Sequence, residues 1–296
     1  MSTPESAPPP SAAPPEGPPQ VLDDANDLRG HHLKLLLGKA LTWVLIVGTA
    51  LIGGAVGAAF LAPAIGGAIF AGLIVVGLVV VFAIADSRAA DAFFTTYASE
   101  RGLELGGRAA LPSVTPLLCK GDDRYAERTL SGPIGEGVEA ILALYTYEEE
   151  SYDSKGNKQT NYYRYTVCLV PVPESQAHIP ELYAQRKFGF RALEGFEDLF
   201  RGKKERVKLE SEVLDQKYEI FATKQQDAVW LRRLFSPSFI VWLTDTAPPK
   251  FAFELVDGNL CCYVSGHKEN SAELDGIAAA TTAVAKRLRE EATETS

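Results

Sequence analysis

Few side chains in this chain have the types and spacing that hydrolysis requires. His267 follows Ser265 by two positions in a Ser-Gly-His sequence, and His178 lies well upstream of both. A histidine that takes the proton of a serine hydroxyl, while a carboxylate orients its ring, is the arrangement of a serine hydrolase. Because such residues converge only in the fold, the sequence assigns no catalytic residue. It leaves hydrolysis through His267 or His178, with Ser265 or an acidic partner, as an alternative.

Metal and cofactor sites also lack their usual spacings. The four cysteines form no Cys-x-x-Cys pair, the spacing typical of tetrahedral zinc sites. The glycine-rich segment 132–137 has neither the lysine nor the Ser/Thr of a phosphate-binding loop. The acidic run 148–150 with Asp153 offers oxygen ligands to a divalent cation, but such a run at a turn is usually solvated. We therefore predict no metal ion and no cofactor.

One short basic run has the charge to contact an anionic surface. The chain as a whole has 29 Lys and Arg against 38 Asp and Glu, a formal net charge of −9. Nucleic-acid binding needs clustered cations that neutralise phosphates, so we predict no nucleic-acid partner. The basic run is either a solvated loop or a contact with anionic lipid head groups. Its residues are Arg201, Lys203, Lys204, Arg206 and Lys208.

The elements that must position these residues fall into three unlike parts, and the first is a proline-rich tail. Eight of the 18 prolines lie in the first 20 residues. Proline removes a backbone donor, and the tail has almost no apolar surface to bury. We expect residues 1–28 to be disordered.

The second part is a stretch of 46 residues without any charged side chain, residues 40–85. As one helix it would measure about 69 Å, roughly twice the hydrocarbon thickness of a bilayer. Pro63 is a natural break near its middle. We predict two transmembrane helices, near residues 40–61 and 64–85, because the helices of a soluble hairpin would each carry one apolar stripe.

Charges that flank this hairpin predict its orientation. Basic residues precede the first helix and follow the second, whereas the turn between them has none; they are Arg29, Lys34, Lys39, Arg88 and Arg101. The positive-inside rule then places both termini in the cytoplasm, with the hairpin in the inner (plasma) membrane. No ionisable residue lies within either helix, which is typical of an anchor rather than a transport path.

Small residues on both helices suit close helix packing. Gly53 and Gly57 form a GxxxG pair, and Gly67 and Gly72 belong to small-x-x-x-small pairs. These glycines pack the hairpin against itself or hold copies of the chain together, and the sequence leaves both interpretations open.

The third part, residues 87–291, predicts a cytoplasmic α+β domain with an antiparallel sheet. A tyrosine-rich hairpin is expected from strands at 137–147 and 162–170, and Asp257-Gly258 marks a second, tight hairpin. A further strand is expected within 212–222. Helices are expected at 87–102, 188–200 and 225–235, from Ser236-Pro237 onward, and at 271–291.

The order of several short motifs resembles a known group. Leu209-Glu210-Ser211-Glu212 is followed by Tyr218-Glu219-Ile220-Phe221, then by Leu234-Phe235-Ser236-Pro237, then by Phe253-Glu254-Leu255 before Asp257-Gly258. This series resembles uncharacterised bacterial two-pass membrane proteins, mainly of actinobacterial type, with a cytoplasmic domain of unknown function. The likeness covers roughly residues 90–266. It implies this architecture and no catalytic residues, and the C-terminal helix and proline-rich tail depart from it.

Together these features predict a membrane-anchored cytoplasmic binding or assembly domain. Its expected partners are the lipid bilayer and, in addition, other proteins or a second copy of the chain. Two alternatives from other classes stay open. One is a membrane-bound hydrolase using His267 or His178, and the other is a sensor of the lipid surface that uses the basic run 201–208.

Overall fold

The computed structural model describes residues 24–60, 62–187, 204–224 and 226–295. They form an α+β fold with two long apolar helices, an antiparallel sheet and a C-terminal helix. The helices are α1 (Ala25–Leu37), α2 (Ala40–Phe60), α3 (Pro63–Arg101), α4 (Pro116–Cys119), α5 (Glu212–Lys217), α6 (Ala228–Leu234), α7 (Pro237–Val241) and α8 (Ser271–Thr295). The strands are β1 (Glu104–Gly106), β2 (Asp123–Ile134), β3 (Val138–Tyr152), β4 (Lys158–Pro171), β5 (Glu181–Arg186), β6 (Lys204–Val207), β7 (Tyr218–Thr223), β8 (Ala252–Val256) and β9 (Asn259–Ser265). The predicted α+β class, with an antiparallel sheet and a C-terminal helix, is thereby confirmed.

The described strands form one nine-stranded sheet in the order β1-β2-β3-β4-β9-β8-β5-β7-β6. All neighbours are antiparallel, and β3 and β4 pair over most of their length, from Ile141 opposite Leu169 to Tyr152 opposite Lys158. The turn between β8 and β9 has positive φ at Asp257 (46°) and Gly258 (75°). That conformation suits a two-residue hairpin and confirms the predicted turn.

The sheet buries both faces because successive side chains of a strand point in opposite directions. On one face Leu142 and Leu144 join the main core, which also contains the apolar stripe of α8 and the second half of α3. On the other face Tyr145 and Tyr147 join a smaller core that α4 covers through Leu117. We call the latter face the tyrosine face.

The helix α3 links the apolar hairpin to the sheet without interruption. It has 39 residues, starts with Pro63 in the first turn and ends at Gly102, whose φ of 65° is a left-handed cap. Its first half exposes large apolar side chains, whereas Phe93, Phe94 and Tyr97 in its second half are buried in the main core. The predicted second pass and the helix predicted at 87–102 are therefore one continuous helix.

The beginning of the described chain corrects the predicted extent of the tail. Asp24 caps α1 by accepting a hydrogen bond from the Asn26 N–H at 2.8 Å. Ala25 and Leu28 of this helix are buried. Residues 24–28 therefore form the capped start of α1, with Ala25 and Leu28 in the main core. The rest of the predicted tail, residues 1–23, lies outside the described residues, as does the helix predicted at 188–200.

Several elements differ from the sequence-based expectation. The strands β2 and β5 were not expected, and β3 and β4 run further toward their shared turn than the apolar pattern suggested. The strand predicted within 212–222 is β7, which begins only at Tyr218. Residues 212–217 form helix α5 instead, because the Ser211 hydroxyl accepts a hydrogen bond from the Leu214 N–H and Leu214 is buried. The predicted cap at Ser236 is confirmed, since its hydroxyl accepts from the Phe239 N–H.

Candidate functional site

The apolar hairpin is held together by close contacts between glycines of α2 and α3. A Cβ placed on Gly57 would lie 3.2 Å from the Gly66 Cα, and one on Gly53 would lie 2.4 Å from Leu73 Cδ1. Gly67 and Gly72 have no heavy atom within 4 Å of such a position. Two of the four predicted packing glycines therefore join the helices of one hairpin, and the other two lie on its open surface.

The outer surface of this hairpin is apolar and exposed. Leu41 is 68% exposed, Ile52 is 70% exposed and Phe60 is 83% exposed. Apolar surface of this extent is costly in water and suits lipid. By length and composition α2 and α3 are candidate membrane-spanning helices, which suggests a membrane protein.

A polar junction connects α1, α3 and the segment between β9 and α8. The Ala25 N–H donates to the Glu269 carbonyl at 3.0 Å. The Arg29 guanidinium forms ion pairs with Asp86 at the end of the apolar stretch and with Glu269. These contacts fix the residues that precede the hairpin against the domain that follows it. Sequence reasoning assigned Arg29 only to flanking charge and did not find this junction.

His267 lies in a polar cluster with Thr146, which is buried, and Glu127, which is exposed. Its Nε2 is 3.2 Å from the Thr146 Oγ1 and 3.2 Å from the Tyr145 carbonyl oxygen, and its Nδ1 is 3.9 Å from Glu127 Oε2. Burial lowers the pKa of the imidazole. The hydroxyl beside it is thus that of Thr146, whereas Ser265 makes no side-chain hydrogen bond with His267 among the described residues.

This cluster contains an imidazole, a hydroxyl and a carboxylate, as a hydrolase site does, but a substrate cannot reach the hydroxyl of Thr146. Thr146 is fully buried, and its hydroxyl donates to Glu127 at 3.2 Å. A nucleophile must be reachable by the bond that it attacks. His178 lies elsewhere, with its ring stacked on Trp230 at a centroid distance of 6.3 Å. His267 and His178 therefore contact different parts of the fold.

The predicted basic run is only partly described, since Arg201 and Lys203 lie outside the described residues. Lys204 is turned toward the sheet, where its Nζ donates to the Tyr183 hydroxyl at 2.6 Å and pairs with Glu181 at 2.9 Å. Arg206 pairs with Glu219 at 3.4 Å, and Lys208 is exposed. Lipid contact by this run stays a prediction, for which Arg206 and Lys208 are the exposed described cations.

Glu254 on β8 is a buried acid that sequence reasoning did not single out. It has no exposed surface, and its Oε2 accepts a hydrogen bond from the Leu117 N–H at 3.0 Å. Burial raises the pKa of this carboxyl to about 7, while the Leu117 N–H and the nearby ammonium groups of Lys204 and Lys120 act in the opposite direction. The sequence feature that could have identified this buried acid is its position within the otherwise apolar run Phe251–Val256.

Glu254 lies on the tyrosine face, where the Tyr263 hydroxyl donates to its Oε1 at 3.5 Å. Tyr147 stacks on Tyr163 at a centroid distance of 4.8 Å, and Tyr165 meets Tyr263 edge to face at 5.9 Å. The Tyr145 hydroxyl donates to the Leu117 carbonyl at 3.2 Å, so Leu117 is held at both its backbone groups. The tyrosines pack against their neighbours and fasten the segment around α4 to the sheet.

Sequence similarity between this chain and known proteins is low. No protein-family model matches the chain, and no curated protein sequence matches it. Among solved structures, the crystal structure of the mycobacterial trehalose monomycolate transport factor A, TtfA, is similar over 69% of this chain and 94% of its own. The sequence identity is 10% and the TM-score is 0.43. At this similarity we draw no functional conclusion from it.

Proposed function

We propose that this protein is a membrane-anchored binding or assembly protein whose α+β domain acts beside the membrane without catalysis of its own. The observation that carries the proposal is the continuous helix α3. Its first half exposes apolar side chains along its length, and its second half supplies Phe93, Phe94 and Tyr97 to the domain core. An anchor that shares its helix with the domain holds that domain close to the bilayer.

The polar junction supports a hairpin that crosses the membrane twice. Ala25 and Arg29 contact Glu269, so the chain before α2 and the domain after α3 lie on one side. The apolar helices α2 and α3 lie between them in sequence, and an even number of crossings returns the chain to that side. The flanking cations Lys34, Lys39 and Arg88 favour the cytoplasm for both termini, and thus the inner (plasma) membrane.

We favour binding over catalysis because the potentially reactive side chains already make hydrogen bonds within the protein. The His267 ring is 3.2 Å from the Tyr145 carbonyl oxygen, the buried Thr146 hydroxyl donates to Glu127, and Glu254 accepts from the Leu117 N–H. The proposed partners are the bilayer itself and other proteins or a second copy of the chain. A membrane-bound hydrolase would need Thr146 or Ser265 to be reachable from solvent beside His267.

Two reporter fusions in bacterial cells test this function. Alkaline phosphatase joined after Ser296 should be inactive, whereas the same enzyme inserted after Ala62, between the helices, should be active outside the cytoplasm. A green fluorescent protein fused at the same positions should give the inverse pattern. The protein should also stay in the membrane fraction after alkaline carbonate washing. Phosphatase activity at Ser296, or a monodisperse protein in a detergent-free high-speed supernatant, would overturn the proposal.

A further inference from the structure

An apolar groove of about 360 Å³ lies between α2 and α3 in the half of the hairpin nearest the domain. Its walls come from Leu36 at the end of α1, from residues 42–49 of α2 and from residues 73–84 of α3. Leu45, Val76 and Val80 of these walls are at least half exposed. The Thr49 hydroxyl in the wall is already used, since it donates to the Leu45 carbonyl at 2.7 Å. The groove therefore presents almost only hydrocarbon.

Three cations lie within four residues of wall residues at the end of this groove nearest the domain. Lys34 and Lys39 flank Leu36 in sequence, and Arg88 lies one helical turn beyond Ile84 on the same side of α3. All three are exposed and make no ion pair in the described part of the chain. The nearby carboxylate of Asp86 is paired with Arg29. This end of the hairpin therefore has three exposed positive charges without an ion pair among the described residues.

We propose that this groove holds one acyl chain of an anionic phospholipid of the surrounding bilayer, with the lipid phosphate held by Lys34, Lys39 and Arg88. The inference rests on the proposed membrane anchoring, because the groove meets lipid only if α2 and α3 span the bilayer. An apolar cleft in hydrocarbon fills with acyl chains unless protein side chains fill it. The three cations at the domain end of the hairpin select an anionic head group by charge complementarity.

Native mass spectrometry of the detergent-purified full chain tests the groove. The protein is titrated with phosphatidylglycerol or with phosphatidylcholine of the same acyl chains, and bound lipids are counted. The Val80→Phe variant places a ring in the groove, whereas Val79→Phe makes the same change at a position that is 62% exposed and outside the groove. We expect one tightly held phosphatidylglycerol, about ten-fold weaker retention in V80F and unchanged retention in V79F.

Replacement of the cations tests the head-group site separately. The triple variant K34Q/K39Q/R88Q should lower phosphatidylglycerol affinity at least ten-fold, since each basic residue near an anionic lipid surface contributes about a five-fold gain. It should leave phosphatidylcholine affinity nearly unchanged. The control triple variant changes three exposed lysines of the domain, Lys155, Lys224 and Lys250, to Gln, and should retain the preference.

The outcomes separate this inference from the proposed function. Equal retention by V80F and V79F, or equal affinity for both lipids in the unchanged protein, would overturn the lipid site while membrane fractionation still supports the anchor. A dimer that V80F converts to monomer, with phosphatidylglycerol retention unchanged, would assign the groove to a second copy and also overturn the lipid site. A full chain that needs no detergent would overturn both.

Discussion

The replacement Glu254→Gln gives a quantitative test of the buried acid. The folded state raises the pKa of this carboxyl from its ordinary 4.5 to about 7 by burial. Between these values the folded protein keeps a proton that the unfolded chain releases, so stability falls as the pH rises from about 4.5 through 7. Glutamine still accepts from the Leu117 N–H and has no charge to bury.

The size of the effect follows from the two pKa values. One pKa unit corresponds to about 1.4 kcal/mol, so ionising Glu254 in the folded state costs about 3 kcal/mol at pH 8.5 and almost nothing at pH 4. Solvent does not screen the charge of Glu254, because the side chain is fully buried. The Gln variant should therefore be more stable than the unchanged protein by about 3 kcal/mol at pH 8.5, and equally stable at pH 4.

Urea unfolding of the detergent-purified full chain measures this difference. Fluorescence of Trp230 and Trp242 reports on the domain, and the unfolding free energy is compared at several pH values between 4 and 8.5. Glu139→Gln makes the same chemical change at an exposed position of β3 and should show no such pH-dependent gain. A free-energy difference between E254Q and the unchanged protein that stays constant with pH would refute the reasoning.

Three further predictions concern the hairpin and its link to the domain. Phe94→Ala should lower the unfolding free energy by about 3–5 kcal/mol in urea, because Phe94 is fully buried, while Phe82→Ala on the same helix, 57% exposed, should leave domain unfolding nearly unchanged. Gly57→Leu should destabilise the helix pair by about 1–3 kcal/mol in thermal unfolding in detergent. Gly67→Leu should have little effect, because there is open space around Gly67. An equal loss of stability in the two variants would contradict the described packing. Arg29→Gln should speed hydrogen exchange in α1 about five-fold, because the partly exposed ion pairs of Arg29 with Asp86 and Glu269 contribute up to about 1 kcal/mol. Unchanged exchange would show that the apolar contacts alone hold the helix.

Elements whose information is local were predictable from the sequence. The uncharged stretch gave the two apolar helices, with the break at Pro63, and Asp257-Gly258 gave the tight turn between β8 and β9. The strand β2 was missed because only Ala126, Leu130 and Ile134 of its 12 residues are buried, so its pattern resembles a polar loop. Its strand character comes from pairing with β1 and β3, which the sequence does not display.

The polar clusters were not predictable because their members are far apart in the chain. His267 was considered with its neighbour Ser265, but the fold places it beside Thr146, which is 121 residues away. Glu254 meets the Leu117 N–H across 137 residues. Whether a side chain is solvated or buried depends on such long-range pairing, and periodicity within one segment reports only on its own strand or helix.

Because α3 is one continuous helix from the apolar hairpin into the domain core, no loop separates the hairpin from the domain along this helix. The helix packs near the β1–β2 edge, and the opposite edge at β6 lies seven strand spacings from β2, about 34 Å. A change of roughly 10° in the inclination of the helix, of the kind that bilayer thickness imposes on membrane helices, would displace that far edge by about 6 Å. Under the proposed membrane anchoring, the thickness of the surrounding lipid would therefore change the distance of the β6 edge from the membrane surface.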